Sequence, residues 1–177
     1  MVYRGDRPLK RRKWRNWIIA AVIVLGAGAA VGFYLRPKAQ PNKSDQTVVP
    51  ATISAKVSFP VYYPDPKKLP AGYSLDRSSF STPVKNGVTY KVLYSGGKKL
   101  VFSIQTKPSD NQIQTFNSNY IPLRIDYQTP VGQAEIGAYH GQTLVSLPVT
   151  NGPWIVITAP TDINQGQLKT ILSSIRR

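Results

Sequence analysis

The chain has no cysteine, one histidine and one methionine among its 177 residues. Lack of cysteine excludes disulfides, thiolate metal sites, a thiol nucleophile and a lipid-modified cysteine anchor. An exported portion must therefore be held by its core alone, for which roughly 120 residues suffice. Such a chain suits a bacterial surface better than a eukaryotic ectodomain. Acidic residues are also scarce: 8 stand against 23 lysines and arginines, for a net charge of +15. Signatures of catalysis are missing as well. There is no Gly-x-Ser-x-Gly elbow, phosphate loop or dinucleotide fingerprint. The lone His140 precedes Gly141, a pairing that reads as a hairpin turn. Asp45, Asp65, Asp76, Asp110, Asp126, Glu135 and Asp162 follow no metal-loop or glycosidase spacing. No catalytic residue, metal ligand or cofactor is assigned, and the chain is not expected to be an enzyme.

What the sequence does have is one long uncharged run. Trp17 to Leu35 carries no charged side chain across 19 residues. At the helical rise this is about 29 Å, enough to cross a bilayer's hydrocarbon core. Arg4, Arg7, Lys10, Arg11, Arg12, Lys13 and Arg15 precede it, opposed only by Asp6. Basic residues are retained on the cytoplasmic side, so these seven are expected to set the topology, with the N-terminus inside. Trp14, Trp17, Phe33 and Tyr34 lie near the two ends, where amphipathic rings favour the headgroups. A cleaved signal peptide ending near Ala29 is the alternative, but the apolar run continues to Leu35. Gly28 and Gly32 have the GxxxG spacing that admits a weak homodimer of membrane helices.

The expected organisation is a basic cytoplasmic tail at 1–16, a transmembrane signal anchor at 17–35, a flexible linker at 36–56 and an extracytoplasmic domain at 57–177. The linker is rich in Pro, Lys, Ser, Thr and Gln, and holds an isolated Asn42-Lys43-Ser44 sequon. Beyond it, polar and β-branched or aromatic residues alternate. Val88, Tyr90, Val92 and Tyr94 share one face of a strand. A turn at Ser95–Lys98 leads to Leu100, Phe102 and Ile104 on the next strand. Tyr73–Phe80 is expected to pair ahead of these. Ser109 or Asp110 caps a short helix over 109–119 bearing Ile113 and Phe116. Leu123, Ile125 and Tyr127 alternate on a further strand, followed by strands at 131–139, 142–147 and 153–159. Thr161-Asp162 reads as the start of a terminal helix whose stripe is Ile163, Leu168, Ile171, Leu172 and Ile175. Arg176 and Arg177 then complement the negative end of its dipole. The fold class is α+β: one N-terminal transmembrane helix, then a mostly antiparallel sheet of about six or seven strands with a short middle helix and a packed C-terminal helix.

Several short motifs carry a resemblance. They are Phe59-Pro60-Val61-Tyr62-Tyr63-Pro64, Leu69-Pro70-Ala71-Gly72-Tyr73, Gly132-Gln133-Ala134, Trp154-Ile155-Val156-Ile157 and the ending Leu168 to Ile175. With them, residues 57–177 resemble the uncharacterised extracytoplasmic domains that follow a single membrane helix in bacteria, distantly similar to the curved-sheet lipoprotein-carrier and anti-sigma-regulator fold. Physically, Pro70 and Gly72 shape a turn, Tyr73 caps the sheet edge with its hydroxyl outward, and Trp154 is expected beneath the terminal helix. Relatives acting as anti-sigma factors carry a folded cytosolic domain, which a 16-residue tail does not provide.

From Pro60 onward, 12 basic and 6 acidic residues leave +6. Solvated lysines on turns account for this, and attraction to anionic lipid or acidic wall polymer is the functional alternative. Eight tyrosines follow residue 57; they either complete a small core with their hydroxyls at its rim or, on an open sheet face, line a groove for which Tyr90, Tyr94, Tyr127 and Tyr139 are the candidate binding surface. The expected function is a non-catalytic, membrane-tethered binding module for an envelope ligand or partner. A structural subunit of a membrane or cell-surface complex is the alternative, and an envelope hydrolase ranks third. Besides the bilayer, the partner is an envelope protein or a lipid or wall ligand. Nucleic acid ranks last, because net charge alone argues for it.

Overall fold

A computed structural model describes residues 48–177. The tail, the apolar run 17–35 with Gly28 and Gly32, and residues 36–47 of the linker lie outside the described residues. Among the described residues no helix is long and apolar enough to cross a membrane.

The described chain is α+β, with one seven-stranded antiparallel sheet. After a short helix α1 (Ala51–Ser54) and strand β1 (Tyr63–Pro64), the meander β2 (Ser74–Ser81), β3 (Gly87–Tyr94) and β4 (Lys98–Gln105) forms one half of that sheet. Helix α2 (Asp110–Tyr120) then carries the chain across to the far edge. There a second meander, β5 (Arg124–Thr129), β6 (Gly132–Tyr139), β7 (Gln142–Pro148) and β8 (Trp154–Pro160), works back inward. The spatial order is β2-β3-β4-β8-β7-β6-β5, so β8 closes the sheet against β4. Helix α3 (Gln165–Ser173) and strand β9 (Ile175–Arg176) complete the chain.

The turns form where backbone geometry demands them. Asn86, His140 and Asn151 adopt positive φ of 53°, 47° and 53°, a region these short polar residues tolerate better than most. Gly96 and Gly97, at 78° and 74°, form the β3–β4 connection as expected.

Alternation sends one row of side chains to each face. Tyr90, Phe102, Ile157, Val145 and Ile136 lie side by side on β3, β4, β8, β7 and β6. None of the five exceeds 3% exposure, and they form the spine of the core. Tyr90 stacks between Phe80 and Phe102 at 4.6 and 4.8 Å, and its hydroxyl donates to the Tyr62 carbonyl at 3.0 Å. This inner face is roofed by Leu168, Ile171 and Leu172 of α3 and by the leading segment, from Val49 through Ile53 to Tyr63. Loose linker therefore does not extend to residue 56, because Ile53 is buried in the core.

The terminal helix begins later than the sequence suggests. Asn164 is its cap, accepting from the Gln167 amide at 3.1 Å, while Asp162 forms an ion pair with Lys98. Ile175 and Arg176 leave the helix and pair with Pro64 and Tyr63 as a two-residue strand. Arg176 lies 3.2 Å from the buried Asp65 carboxylate instead of serving the dipole. Asp65 also accepts from the Lys67 amide, so it closes the clasp as well as the turn.

Trp154 points the other way from its expected place. It sits on the outer face beneath α2, edge-on to Phe116 at 4.9 Å, and donates to Ser146 Oγ at 3.0 Å. Alternation explains this: Ile155 and Ile157 take the inner side, so Trp154 and Val156 must take the outer. The α2 seat is thin, with only Ile113, Phe116 and Trp154 fully buried in its cluster. Asn117 is 1% exposed there, and neither of its amide atoms has a hydrogen-bond partner among the described residues. After α2 the chain crosses β6 closely, so a Cβ on Gly137 would meet the Leu123 carbonyl oxygen at 2.8 Å. Two opposite outcomes are expected in urea unfolding. Gly137→Ala lowers stability by about 2 kcal/mol through this clash, whereas Asn117→Leu raises it by about 1 kcal/mol by removing an unsatisfied buried amide.

Candidate functional site

The four tyrosines proposed as a groove are not brought together. Tyr90 is 1% exposed and belongs to the inner core. Tyr94 follows it on the same face and stacks on Tyr73 at 4.9 Å. Its hydroxyl has no hydrogen-bond partner among the described residues, and burial followed by the Asp162 charge raises its pKa. Tyr127 reaches the terminal helix, with its hydroxyl 2.7 Å from Ser173 Oγ and the Lys169 ammonium over its ring. Tyr139 lies on the outer face against Tyr120 and His140. Tyr73 turns its hydroxyl toward α3, donating to Gln167 Oε1 at 3.0 Å. Three of the four candidates thus serve the inner face and its roof.

The open surface is elsewhere. Register places Lys91, Thr89 and Leu93 of β3 on the outer face, beside Lys99, Val101, Ser103 and Gln105 of β4. Helix α2 covers β8 and its neighbours through Trp154 and Val156, and stops short of this half. All of these β3 and β4 side chains are partly or fully exposed. The floor is polar: Ser81 and Thr89 hydroxyls lie 2.8 Å apart, and Ser103 stands opposite Thr89. Tyr90, Tyr94 and Phe102 all face inward, and Phe80 joins them in the core.

Charge is sorted across the fold. Asp65, Asp110, Glu135 and Asp162 are each matched by Arg176, Lys107, Arg124 and Lys98. Asp76, opposite Lys91, is turned to its own loop and accepts from the amide and hydroxyl of Ser78. Arg77, Lys85, Lys91 and Lys99 have no ion-pair partner among the described residues, and all four sit on the β2–β4 half or its hairpin. Val84 and Leu93, 48% and 37% exposed, stand among them. At the opposite edge Leu123 and Ile125 are 88% and 60% exposed, so the alternation read there does not bury them. They lie beyond the reach of α3.

Along the sequence these lysines read as solvated turn residues. The signal that finds the site is the period-2 placement of Lys91 with Thr89, and Lys99 with Ser103, on the side away from the core row. Among the described residues no group of three His, Cys, Asp or Glu side chains is placed to hold a metal ion. His140 occupies the β6–β7 turn, against the Tyr139 ring. Comparison with family models, curated proteins and solved structures found no match.

The ion pair at the rim gives a pH prediction. A hydrogen bond from the Lys98 ammonium holds the Asp162 carboxyl below the ordinary carboxylate range. A carboxyl depressed in the folded state stabilises above its unfolded pKa of about 3.9 and loses that effect as pH falls through the folded value. Lys98→Gln is expected to return the Asp162 titration toward the ordinary range, read by carboxyl-carbon NMR. The stability difference between wild type and variant is expected to close in acid.

Proposed function

We propose that the protein is a membrane-tethered, non-catalytic extracytoplasmic module that binds an anionic envelope ligand. In this reading the run Trp17–Leu35 anchors the chain, and the seven basic residues before it keep the N-terminus in the cytoplasm. The observation that carries the binding role is the unpaired cationic half of the outer face. A sheet face without a roof, with its carboxylates engaged elsewhere, attracts anions and repels cations. The aromatic rings of β3 and β4 face inward, so on this half the ligand meets chiefly lysines, hydroxyls and an amide. The alternative, a structural subunit of a membrane complex, is favoured by Leu123 and Ile125, an exposed apolar pair at the β5 edge.

The absence of native cysteine makes topology directly testable. Single Val2→Cys and Lys67→Cys variants are expressed in intact cells and treated with a membrane-impermeant maleimide. Labelling of Lys67→Cys at once, and of Val2→Cys only after permeabilisation, is expected. The reverse pattern, or release of the domain as a shortened soluble chain, overturns the anchored reading.

A further inference from the structure

We propose that the uncovered half of the outer face binds a linear polyanion with one anionic group per about 7 Å, the spacing of a polyol phosphodiester. The inference rests on the binding role proposed above and names its ligand class. Along β3 and β4, successive outward positions are about 6.6 Å apart. Lys99 lies two residues from Val101, the partner of Lys91, so the two lysines are diagonal neighbours about 7–8 Å apart. The Thr89–Ser103 rung follows, then Gln105, giving cation, cation, hydroxyl and amide along one track. A polymer repeat of six backbone bonds extends about 7 Å, as two peptide residues do. Its anionic groups therefore fall in step with the track.

Shape selects among anionic partners. Helix α2, seated on Trp154 and Val156, rises beside Ser103 because Val156 pairs with it. A helix stands about 10 Å high, so this half is a ledge with a wall. A flexible chain can lie along such a ledge, whereas a planar bilayer is held off it by α2. Single-stranded nucleic acid has similar phosphate spacing but draws much of its affinity from base stacking on aromatic rings. The β3–β4 outer track offers none, its residues being Leu93, Lys91, Thr89, Lys99, Val101 and Ser103. Asp76 keeps its charge but forms no ion pair with Lys91, its carboxylate accepting instead from Ser78, so the Lys91 ammonium is free to meet an anion and Lys99 adds a second.

The test uses the full chain in phosphatidylcholine nanodiscs and an end-labelled ten-repeat poly(glycerol phosphate), followed by fluorescence anisotropy. Lys91→Gln and Lys99→Gln are each expected to weaken binding about fivefold, and the pair more than tenfold. The Lys67→Gln, Lys68→Gln double variant, on an exposed loop, is expected to stay within twofold of wild type. Wild-type affinity falls with salt, with a log–log slope near −1.4 for two contacts, and the Lys91/Lys99 double variant loses most of that slope. An unchanged thermal melt of that double variant shows that folding is not the cause. Wild-type-like binding by the double variant overturns the site. Tighter binding of oligodeoxythymidylate of equal length, or protection of the two lysines only in phosphatidylglycerol discs, overturns the ligand class. Neither result alters the topology found by cysteine labelling, so the two readings fail separately.

Discussion

A mismatch of widths governs this domain. Seven strands spaced about 4.8 Å apart span about 29 Å, and one helix covers about 10 Å. No single helix can roof such a sheet. The inner face is closed by adding the leading segment, whose Ile53, Val61 and Tyr62 pack beside α3. Among the described residues the outer face is covered by α2 alone, on the β8 side through Phe116 and Trp154. What remains uncovered is the β2–β4 half, and its composition follows from that exposure. Its outward positions are mostly polar, Lys91, Thr89, Lys99, Ser103 and Gln105 beside Leu93 and Val101, while the inward positions of the same strands hold Tyr90, Val92, Leu100 and Phe102.

Local patterns were legible in the sequence; their assignment to faces was not. The inward row Val88, Tyr90, Val92 follows from period-2 alternation, and of the two candidate caps, Ser109 and Asp110, Ser109 is the one that precedes α2. Such signals depend on neighbours a few residues apart. Which helix covers Trp154 depends on β8 pairing with β4, across a connection that holds α2 and three other strands. The tyrosines misled for a related reason. A phenol is equally at home in a core or on a surface, and only the three-dimensional surroundings separate Tyr90 from Tyr139. The start of α3 was misplaced because Asp162, a good cap by type, is taken by Lys98 on another strand.

Electrostatic sorting has the same long-range origin. Counting charges from Pro60 onward yields +6, with no sign of where the excess lies. Four carboxylates find cations, and two of those pairs join residues far apart in the chain, Lys98 with Asp162 and Asp65 with Arg176. Each exposed pair contributes little stability, on the order of 0–1 kcal/mol. Their larger consequence is spatial. The cations they leave without an ion pair among the described residues include Arg77, Lys85, Lys91 and Lys99, which share the β2–β4 half.

The clasp between β1 and β9 determines how load from the N-terminal side would be borne. A tether at the N-terminal side would pull on the leading segment, which is also part of the inner roof. Peeling that segment would expose Tyr90 and remove the acceptor of its hydroxyl, the Tyr62 carbonyl. The two residue pairs of β1 with β9, a hydrogen bond donated by the Asp65 amide to the Ser174 carbonyl at 2.9 Å, and the Asp65–Arg176 contact lock it to the end of α3. Because α3 is itself buried through Leu168, Ile171 and Leu172, load entering at residue 64 is passed into the core. The open ledge lies on the other side of the sheet, so its shape does not depend on the segment that would bear the strain.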